Sequence, residues 1–146
     1  MKGTGKDGVN GPTISIITVV LNGEKHLEQA ISSVLGQTYG NVEYIIVDGG
    51  SRDGTLDIIK RYEDRIDRWI SEPDDGIYDA MNKGIALASG EIIGILNSDD
   101  WYTPHALEAV AGAYRQSPTR NIVVMGKWNA MFEDLDMKIT CAPSTE

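Results

Sequence analysis

The stretch IIGILNSDD, residues 92–100, joins a short apolar run to two adjacent carboxylates. The run follows Gly90 and is bounded by polar residues, so it reads as a buried strand. Asp99 and Asp100 then lie at the carboxyl end of that strand, where open α/β sheets bind ligands. Neighbouring like charges repel unless a cation lies between them, and hard oxygen ligands suit Mg²⁺ or Mn²⁺. The pattern predicts a metal-dependent site for a phosphorylated ligand; the alternative is a solvated Asp-Asp pair that caps a helix beginning near Thr103 and Pro104.

The composition is that of an ordinary soluble globular domain. The chain has 146 residues, 41% hydrophobic and 24% charged, which is enough for one packed core. The net charge of -9 argues against nucleic-acid binding, which depends on Lys and Arg. Cys141 is the single cysteine and no secretory signal precedes the first strand, so we expect a cytoplasmic protein. Residues 1–11 are glycine-rich without apolar periodicity, and we expect a flexible leader before a domain at 12–146.

Apolar segments with strand and helix periodicity alternate along the chain. Strands are expected at residues 14–21, 42–47, 66–70, 92–96 and 121–125, and helices at 26–35, 55–62, 77–88 and 104–115. Such alternation predicts an α/β fold with a mostly parallel sheet, helices on both faces and right-handed crossovers. The loops after the first four strands then share one sheet edge. They contain neither Gly-x-Gly-x-x-Gly nor a P-loop, so a bound diphosphate would be neutralised by a metal ion instead of a glycine nest.

Four motifs, in this order along the chain, resemble the family-2 inverting glycosyltransferases of the GT-A fold. They are residues 16–22 (IITVVLN), 32–39 (SSVLGQTY), 47–55 (VDGGSRDGT) and 90–100 (GEIIGILNSDD). Residues 72–84 (EPDDGIYDAMNKG) resemble a bacterial subgroup that builds surface polysaccharides such as O-antigen or colanic acid. The resemblance covers residues 12–126. It implies a Rossmann-like GT-A sheet and transfer, with inversion, from a nucleotide-diphosphate sugar, often UDP-linked, to a saccharide or lipid-linked acceptor in polysaccharide biosynthesis.

The resemblance assigns the donor nucleoside to the first two loops. Thr18 and Asn22 would touch the nucleoside, and Glu24 would help to frame it. Asp48 would accept a hydrogen bond from the N–H of a uracil ring; the alternative is a turn aspartate that precedes two glycines. Either Asp53 or Thr55 reads as a residue that caps the next helix, with Gly54 in the turn.

The metal motif departs from the usual Asp-x-Asp of the family, because its first position is Asn97. An amide hydrogen-bonds a ribose or a metal-bound water but adds no negative charge. By resemblance, Asn97 contributes to donor binding and Asp99 meets the ribose or the water shell of the metal. Asp100 would coordinate the Mn²⁺ or Mg²⁺ ion that binds the diphosphate. Trp101, the next residue, is a candidate for stacking on a sugar or a base.

The helix at 77–88 supplies further candidates for the donor pocket. Asp79, Asn82 and Lys83 would line the pocket by resemblance, but the polar face of an amphipathic helix explains them equally well. Many relatives have an arginine at the position of Met81, so a phosphate or ribose contact there is not carried over.

No carboxylate of this chain matches the family's general base, which takes the proton from the acceptor hydroxyl. Glu133, Asp134 and Asp136 read as a solvated turn between two edge strands. We therefore expect residues 12–146 to be the nucleotide-sugar-binding part of a longer enzyme, without its acceptor-side segment. Exposed apolar surface is expected where that segment would pack, with homodimerisation as one way to cover it. The parent protein is expected to associate peripherally with the inner face of the membrane.

Two further functions stay open. A nucleotide-sugar-binding module without transfer activity is favoured by the unmatched base and by Asn97 and Met81. A nucleotidyltransferase also places metal-binding carboxylates on a similar sheet, but the glycine-rich basic loop that such enzymes have after the first strand is missing from the sequence.

Overall fold

A four-stranded parallel sheet forms the centre of the fold in this computed structural model, which describes residues 11–119, 121–124, 128–132 and 137–141. Its strand order is β3-β2-β1-β4. The elements in chain order are β1 Ile14–Val20, α1 Leu27–Leu35, β2 Val42–Asp48, α2 Thr55–Arg61, a 3₁₀ helix Glu63–Arg65, β3 Arg68–Ser71, α3 Ile77–Leu87, β4 Ile92–Asn97, α4 Ala106–Gln116, β5 Trp128–Phe132 and β6 Met137–Cys141. The strands β5 and β6 pair antiparallel with each other.

The central strand β1 is buried along its whole length. Its sequence, ISIITVV, is rich in β-branched apolar residues, which suit a strand covered on both faces. The two polar residues of this strand bond to side chains of β2: Ser15 Oγ lies 2.5 Å from Glu43 Oε2, and the Thr18 hydroxyl lies 3.0 Å from that of Tyr44. Both neighbours of β1 run parallel to it, so the four strands end at the same edge of the sheet.

Helices cover both faces of the sheet, as predicted. On one face, α1, α2 and α4 bury apolar side chains that include Leu27, Ile59 and Leu107. Burial of each such side chain stabilises the fold by about 1.5–3 kcal/mol. On the other face, α3 packs against β1. A Cβ atom at Gly84 would collide with the side chain of Ile17, so this glycine lets α3 approach the sheet closely.

The strand predicted at residues 121–125 is wrong for the part that the structure describes. Residues 121–124 have no regular secondary structure, and Val123 is 89% exposed. A β-branched apolar run forms a strand only where a neighbouring strand satisfies its backbone groups, and these residues pair with none of the described strands. Residue 125 lies outside the described part of the chain.

Apolar side chains are exposed along one edge of the sheet. Within the described sheets, β4 pairs only with β1, and its Ile93 and Ile95 are 45% and 41% exposed. Ile95 is the register partner of Ile17, which places it on the face that α3 covers, and Ile85 of α3 is exposed as well. Exposed apolar surface of the kind expected from the sequence is therefore present.

Several predictions concern residues whose placement is not described. The leader lies outside the described residues except for Gly11, and so do Glu133, Asp134 and Asp136. The two strands predicted on either side of those carboxylates correspond to β5 and β6. No helix in the described ranges has the length and apolar character needed to cross a membrane.

Candidate functional site

The polar loops after β1, β2, β3 and β4 meet at the carboxyl edge of the sheet, because all four strands are parallel. A Cβ atom at Gly23, in the first loop, would lie 3.2 Å from Ser98 Oγ in the loop after β4. The first and fourth loops are therefore in contact. This edge is the position at which α/β sheets form ligand crevices.

The loop after β1 is tied to the loop after β2 through Asn22. This residue has φ 51°, a left-handed conformation that asparagine adopts more readily than most residues. Its backbone N–H donates to Ser51 Oγ at 2.7 Å, and its Oδ1 accepts from the Arg52 N–H at 2.9 Å. The carboxamide oxygen of Asn22 is thus committed to the protein, and its Nδ2 has no recorded partner in the described part of the chain.

Glu24 and Asp53 form further hydrogen bonds between the loops after β1 and β2. The Glu24 N–H donates to Asp53 Oδ2 at 3.1 Å, while Glu24 Oε2 accepts from the Gly54 N–H at 2.7 Å. Asp53 Oδ1 accepts from both the hydroxyl and the N–H of Thr55, and the hydroxyl bond is the main reason that the pKa of Asp53 lies below its ordinary value. Glu24, predicted to frame the nucleoside, therefore also closes the amino terminus of α2.

Asp48 is fully buried and is surrounded by donors from the protein. Its Oδ2 accepts from the Ser71 hydroxyl at 2.7 Å and from the Gly50 and Ser51 N–H groups at 3.2 and 3.1 Å. Its Oδ1 accepts from the Ser51 hydroxyl in a short hydrogen bond and from the Ser51 N–H at 3.3 Å. The carboxylate holds the turn after β2 against the end of β3. This is the role of a turn aspartate, which the sequence analysis gave as the alternative to binding uracil.

The side chain of Thr18 is not exposed at the carboxyl edge of the sheet. Its exposed fraction is zero, and its hydroxyl is paired with that of Tyr44 between β1 and β2. Burial raises the pKa of Tyr44, so this pair is neutral. A nucleoside has no access to the Thr18 side chain here, and we leave Thr18 out of the proposed donor site.

The loop after β3 is joined to α3 by a small ionic network. Lys83 Nζ lies 3.0 Å from Glu72 Oε1, 3.2 Å from Asp79 Oδ2 and 3.2 Å from the Pro73 carbonyl. The hydrogen bond to Glu72 is the main reason that the pKa of Lys83 is raised. The Asp75 N–H, followed by Lys83, lowers the pKa of Asp79.

Lys83 and Asp79, two of the three candidates on α3, are therefore bonded to the loop after β3. The charge of Lys83 is balanced locally, and Asp79 accepts from the loop backbone. Asn82 is exposed, with no hydrogen bond recorded to any described residue. Met81, where the resemblance leads one to expect arginine, packs against the apolar cluster beneath α3.

The loop after β4 is a tight turn that presents its carboxylates to solvent. The Asp100 N–H donates to the Asn97 carbonyl at 3.1 Å, and Asn97 Nδ2 lies 3.4 Å from Asp100 Oδ2. Asn97 Oδ1 is buried without a hydrogen-bond partner. Asp99 and Asp100 are exposed, and neither forms an ion pair with a described Lys or Arg.

These carboxylates fit a divalent cation that also binds a ligand. Their oxygens are hard donors, and the turn brings two negative charges together without a protein cation to balance them. The described residues contain no cluster of three His, Cys, Asp or Glu side chains arranged to hold a metal. A metal here would take its remaining ligands from water and from a phosphate group, which is how Mg²⁺ is commonly held.

Aromatic side chains border this turn. Trp101 is 43% exposed directly after Asp100, so a flat ring is available beside the carboxylates. Tyr102 is largely buried, and burial followed by the charge of Asp100 raises its pKa. Trp69, in contrast, packs against the main apolar cluster.

One feature of this edge is not evident from the sequence: Asp74, in the loop after β3, lies directly above Gly49. A Cβ atom at Gly49 would be 2.5 Å from Asp74 Oδ2. The two residues are far apart in the chain, and only the pairing of β2 with β3 brings their loops together. The glycine at position 49 is the only sequence signal of this approach.

The chain matches a protein-family model and several curated relatives. A family model described as Glycosyl transferase family 2 matches residues 15–137. The uncharacterized glycosyltransferase Rv1514c of Mycobacterium tuberculosis is 40% identical over 109 residues, which are 70% of this chain and 42% of that protein. The chain spans less than half the length of the curated relatives it matches.

Solved structures share the fold. Staphylococcus aureus TarS 1–349 in complex with UDP-GlcNAc has a TM-score of 0.66 at 24% identity, covering 71% of this chain and 31% of TarS. Glucosyl-3-phosphoglycerate synthase of M. tuberculosis, in complex with Mn²⁺, UDP and glucosyl-3-phosphoglycerate, has a TM-score of 0.55 at 30% identity. That match covers 68% of this chain and 38% of the synthase.

Proposed function

The chain belongs to glycosyl transferase family 2, and on that premise we propose that it binds the UDP-sugar donor of a metal-assisted, inverting glycosyltransferase. Its parallel sheet and flanking helices have the GT-A architecture of its structural neighbours. The proposed acceptor is a saccharide or a lipid-linked saccharide in polysaccharide biosynthesis, as the resemblance of residues 72–84 implies. The comparisons give the family and the fold; the donor, the acceptor and the stereochemistry are our proposal.

The observation that carries the proposal is the pair of exposed carboxylates at the end of β4. Asp99 and Asp100 project from a tight turn with no balancing cation among the described residues. A divalent ion between them and a diphosphate would neutralise both partners. The synthase that is 30% identical to this chain binds UDP with Mn²⁺, which supports the same pairing of ligand and metal here.

The side chains of this edge receive distinct roles in the proposed site. Asp100 holds the cation, and Asp99 contacts the ribose or the water shell of the metal. Asn97 contributes to donor binding through its amide, whose Oδ1 forms no hydrogen bond within the described part of the chain. Trp101 offers an exposed ring for stacking on the sugar or the base.

Inverting transfer forms a bond from the acceptor oxygen to the anomeric carbon as the bond to the diphosphate breaks. A bound Mn²⁺ or Mg²⁺ would stabilise the negative charge that develops on the leaving diphosphate. A general base must remove the proton of the acceptor hydroxyl. We assign that base to none of the described residues, because we propose that the carboxylates of this edge serve the donor.

A nucleotide-sugar-binding module without transfer is the second candidate. It is favoured by the amide at Asn97, which removes one negative charge from the motif that usually binds the metal. Both candidates bind a nucleotide diphosphate, and only the first releases the sugar.

Calorimetric titration with UDP, once with Mn²⁺ and once with EDTA, tests the donor site. We expect binding only with the metal, and we expect Asp100→Asn to weaken it by about tenfold or more because a charged ligand is lost. Glu63→Gln, an exposed carboxylate distant from the site in sequence, is the control and should bind like the parent protein. Metal-independent binding, or an unaffected Asp100→Asn variant, would reject the metal assignment.

Release of sugar from a labelled UDP-sugar separates the two candidates. Sugar release that depends on Asp100 and Mn²⁺ would support transfer or donor hydrolysis. Metal-dependent UDP binding without sugar release, in the presence of saccharide acceptors, would favour the binding module.

A further inference from the structure

We infer that Asp74, and not Asp48, is the carboxylate that recognises the base of the donor nucleotide. The inference rests on the proposed function, since it concerns the nucleotide of that same site. It assigns selectivity for a base that presents an N–H to the loop after β3, as uracil does.

Asp48 has no capacity left for a ligand. Its exposed fraction is zero, and its two oxygens accept from the Ser51 hydroxyl, the Ser71 hydroxyl and two backbone N–H groups. A base could bond to this carboxylate only by displacing one of these donors. Displacing a buried donor costs about 1–3 kcal/mol, which would cancel the gain from the new bond.

Asp74 has one oxygen held by the protein and the other without a partner. Oδ1 accepts from the Gly76 N–H at 2.9 Å, which fixes the carboxylate at the entry of α3. Oδ2 accepts no hydrogen bond from any described residue and lies above Gly49. The side chain is only partly buried, so this oxygen is available to a ligand at the carboxyl edge of the sheet.

Gly49 makes that position available. A Cβ atom there would lie 2.5 Å from Asp74 Oδ2, closer than two nonbonded heavy atoms approach. Any side chain at position 49 would therefore push the carboxylate of Asp74 away. The backbone of Gly49 does not need glycine for its conformation, because its φ is not in the left-handed region, whereas that of Gly50 is at 86°.

The strand order places Asp74 at the correct end of the site. With Asp99 and Asp100 after β4, a nucleotide laid along the edge passes β1 and reaches β2 and β3. Neighbouring strands are about 4.8 Å apart, so Gly49 after β2 lies two strand spacings, or roughly 10 Å, from the end of β4. The diphosphate at β4 and the base above Gly49 are thus the two ends of one extended ligand.

The chemistry of a carboxylate then determines which base is accepted. A carboxylate accepts hydrogen bonds and donates none. Uracil offers the N3–H, whereas the N3 of cytosine is itself an acceptor and would face a negative oxygen. Asp74 therefore favours UDP over CDP.

A purely local role for Asp74, capping the amino terminus of α3, predicts a different result. That role uses Oδ1 alone, and asparagine would serve it equally well. Asp74→Asn separates the two roles, because the amide keeps an oxygen for the Gly76 N–H and puts an NH₂ donor in the place of Oδ2.

The test is calorimetry with UDP and with CDP, in the presence of Mn²⁺, on the 146-residue chain. We expect the parent protein to prefer UDP by about tenfold or more, as for a hydrogen bond to a charged group. Asp74→Asn should abolish or reverse this preference while metal-dependent diphosphate binding persists. Asp75→Asn changes the adjacent exposed carboxylate, which has no recorded hydrogen bond to any described residue, and should leave the preference unchanged.

A relocation of the carboxylate provides a second variant. Gly49→Asp combined with Asp74→Ser places a carboxylate above the β2 loop and leaves a hydroxyl for the Gly76 N–H. This double variant should recover a preference for UDP that Asp74→Ser alone lacks. Thermal unfolding of each variant shows whether it is folded.

The outcomes distinguish the inference from the proposed function. Metal-dependent binding with no preference between UDP and CDP, or a preference that survives Asp74→Asn, would overturn the inference and leave the donor site in place. Failure of the parent protein to bind either diphosphate with Mn²⁺ would overturn both.

Discussion

Glu24 Oε2 accepts a hydrogen bond from the Gly54 N–H at 2.7 Å, so a carboxylate in the loop after β1 closes the helix that follows β2. The backbone of Glu24 donates in return to Asp53 at 3.1 Å. Two loops that are 30 residues apart in the chain are thus fixed to each other at the edge where the donor is proposed to bind.

Removal of the Glu24 side chain should destabilise the protein. Glu24→Ala leaves the Gly54 N–H without its acceptor, and loss of such a helix cap costs about 1 kcal/mol. Urea unfolding measures the change. Glu63→Ala removes an exposed glutamate with no recorded bond to the described residues. Its free energy of unfolding should stay within about 0.5 kcal/mol of that of the parent protein. Equal effects of the two substitutions would contradict the capping role.

Thr18→Val should lower stability without weakening nucleotide binding. The change leaves the buried hydroxyl of Tyr44 without its partner at 3.0 Å, at a cost of about 1–3 kcal/mol. Adding Tyr44→Phe removes the stranded hydroxyl, so the double variant should be less destabilised than the sum of the two single changes. If Thr18→Val weakened UDP binding at unchanged stability, Thr18 would return to the donor site.

Substitutions at two helical glycines should have opposite effects. A Cβ atom at Gly84 would meet the Ile17 side chain, so Gly84→Ala should destabilise the protein by about 1–3 kcal/mol. A Cβ atom at Gly112 in α4 has open space around it, and Gly112→Ala should stabilise by up to about 1 kcal/mol through helix propensity. Thermal unfolding of both variants provides the comparison, and a neutral Gly84→Ala would mean that α3 does not pack as closely as described.

The tie between the first two loops should weaken in acid. Bonds from the Thr55 hydroxyl, the Thr55 N–H and the Glu24 N–H hold the pKa of Asp53 below the value of 3.8 that it has when unperturbed. The unfolded chain therefore binds a proton more readily than the folded one, and stability rises with pH across this range. The contribution of Asp53 is complete above its unfolded pKa and disappears as the pH falls through the folded pKa.

Urea midpoints measured from about pH 6 to about pH 2.5 check this pH dependence. The midpoint of the parent protein should fall more steeply below about pH 4 than that of Asp53→Asn. Asp64→Asn, which alters an exposed aspartate with no recorded bond to the described residues, should follow the parent curve. Parallel curves for the parent protein and Asp53→Asn would refute the assignment.

The central part of the fold could be predicted because its signals are local. The run ISIITVV, residues 14–20, is buried on both sides, and the helical spacing of Leu27, Ile31 and Val34 identifies the face of α1 that packs on the sheet. The exposed turn at Asp99 and Asp100 also follows from local signals, since an apolar strand ends directly before it. Residues 121–124 show the limit, because a β-branched run without a partner strand does not form a strand.

The fine structure of the site depends on contacts that are distant in sequence. Thr18 bonds to the hydroxyl of Tyr44, 26 residues away, and Asp48 bonds to that of Ser71, 23 residues away, as well as to that of the nearby Ser51. No periodicity or motif in the sequence indicates that these hydrogen bonds occupy the Thr18 hydroxyl and the Asp48 carboxylate. The position of Asp74 above Gly49 arises in the same way, from the register between β2 and β3.

The hydrogen bonds that join Asn22, Glu24, Ser51 and Asp53 have a thermodynamic consequence for ligand binding. Both partners of each of these hydrogen bonds are protein groups. The wall formed by the first two loops is therefore ordered before any nucleotide binds. A ligand that binds against such a wall loses its own freedom but does not have to immobilise the backbone there, which would cost about 1–2 kcal/mol per residue. The loss of conformational entropy on binding at this wall should therefore fall mainly on the nucleotide.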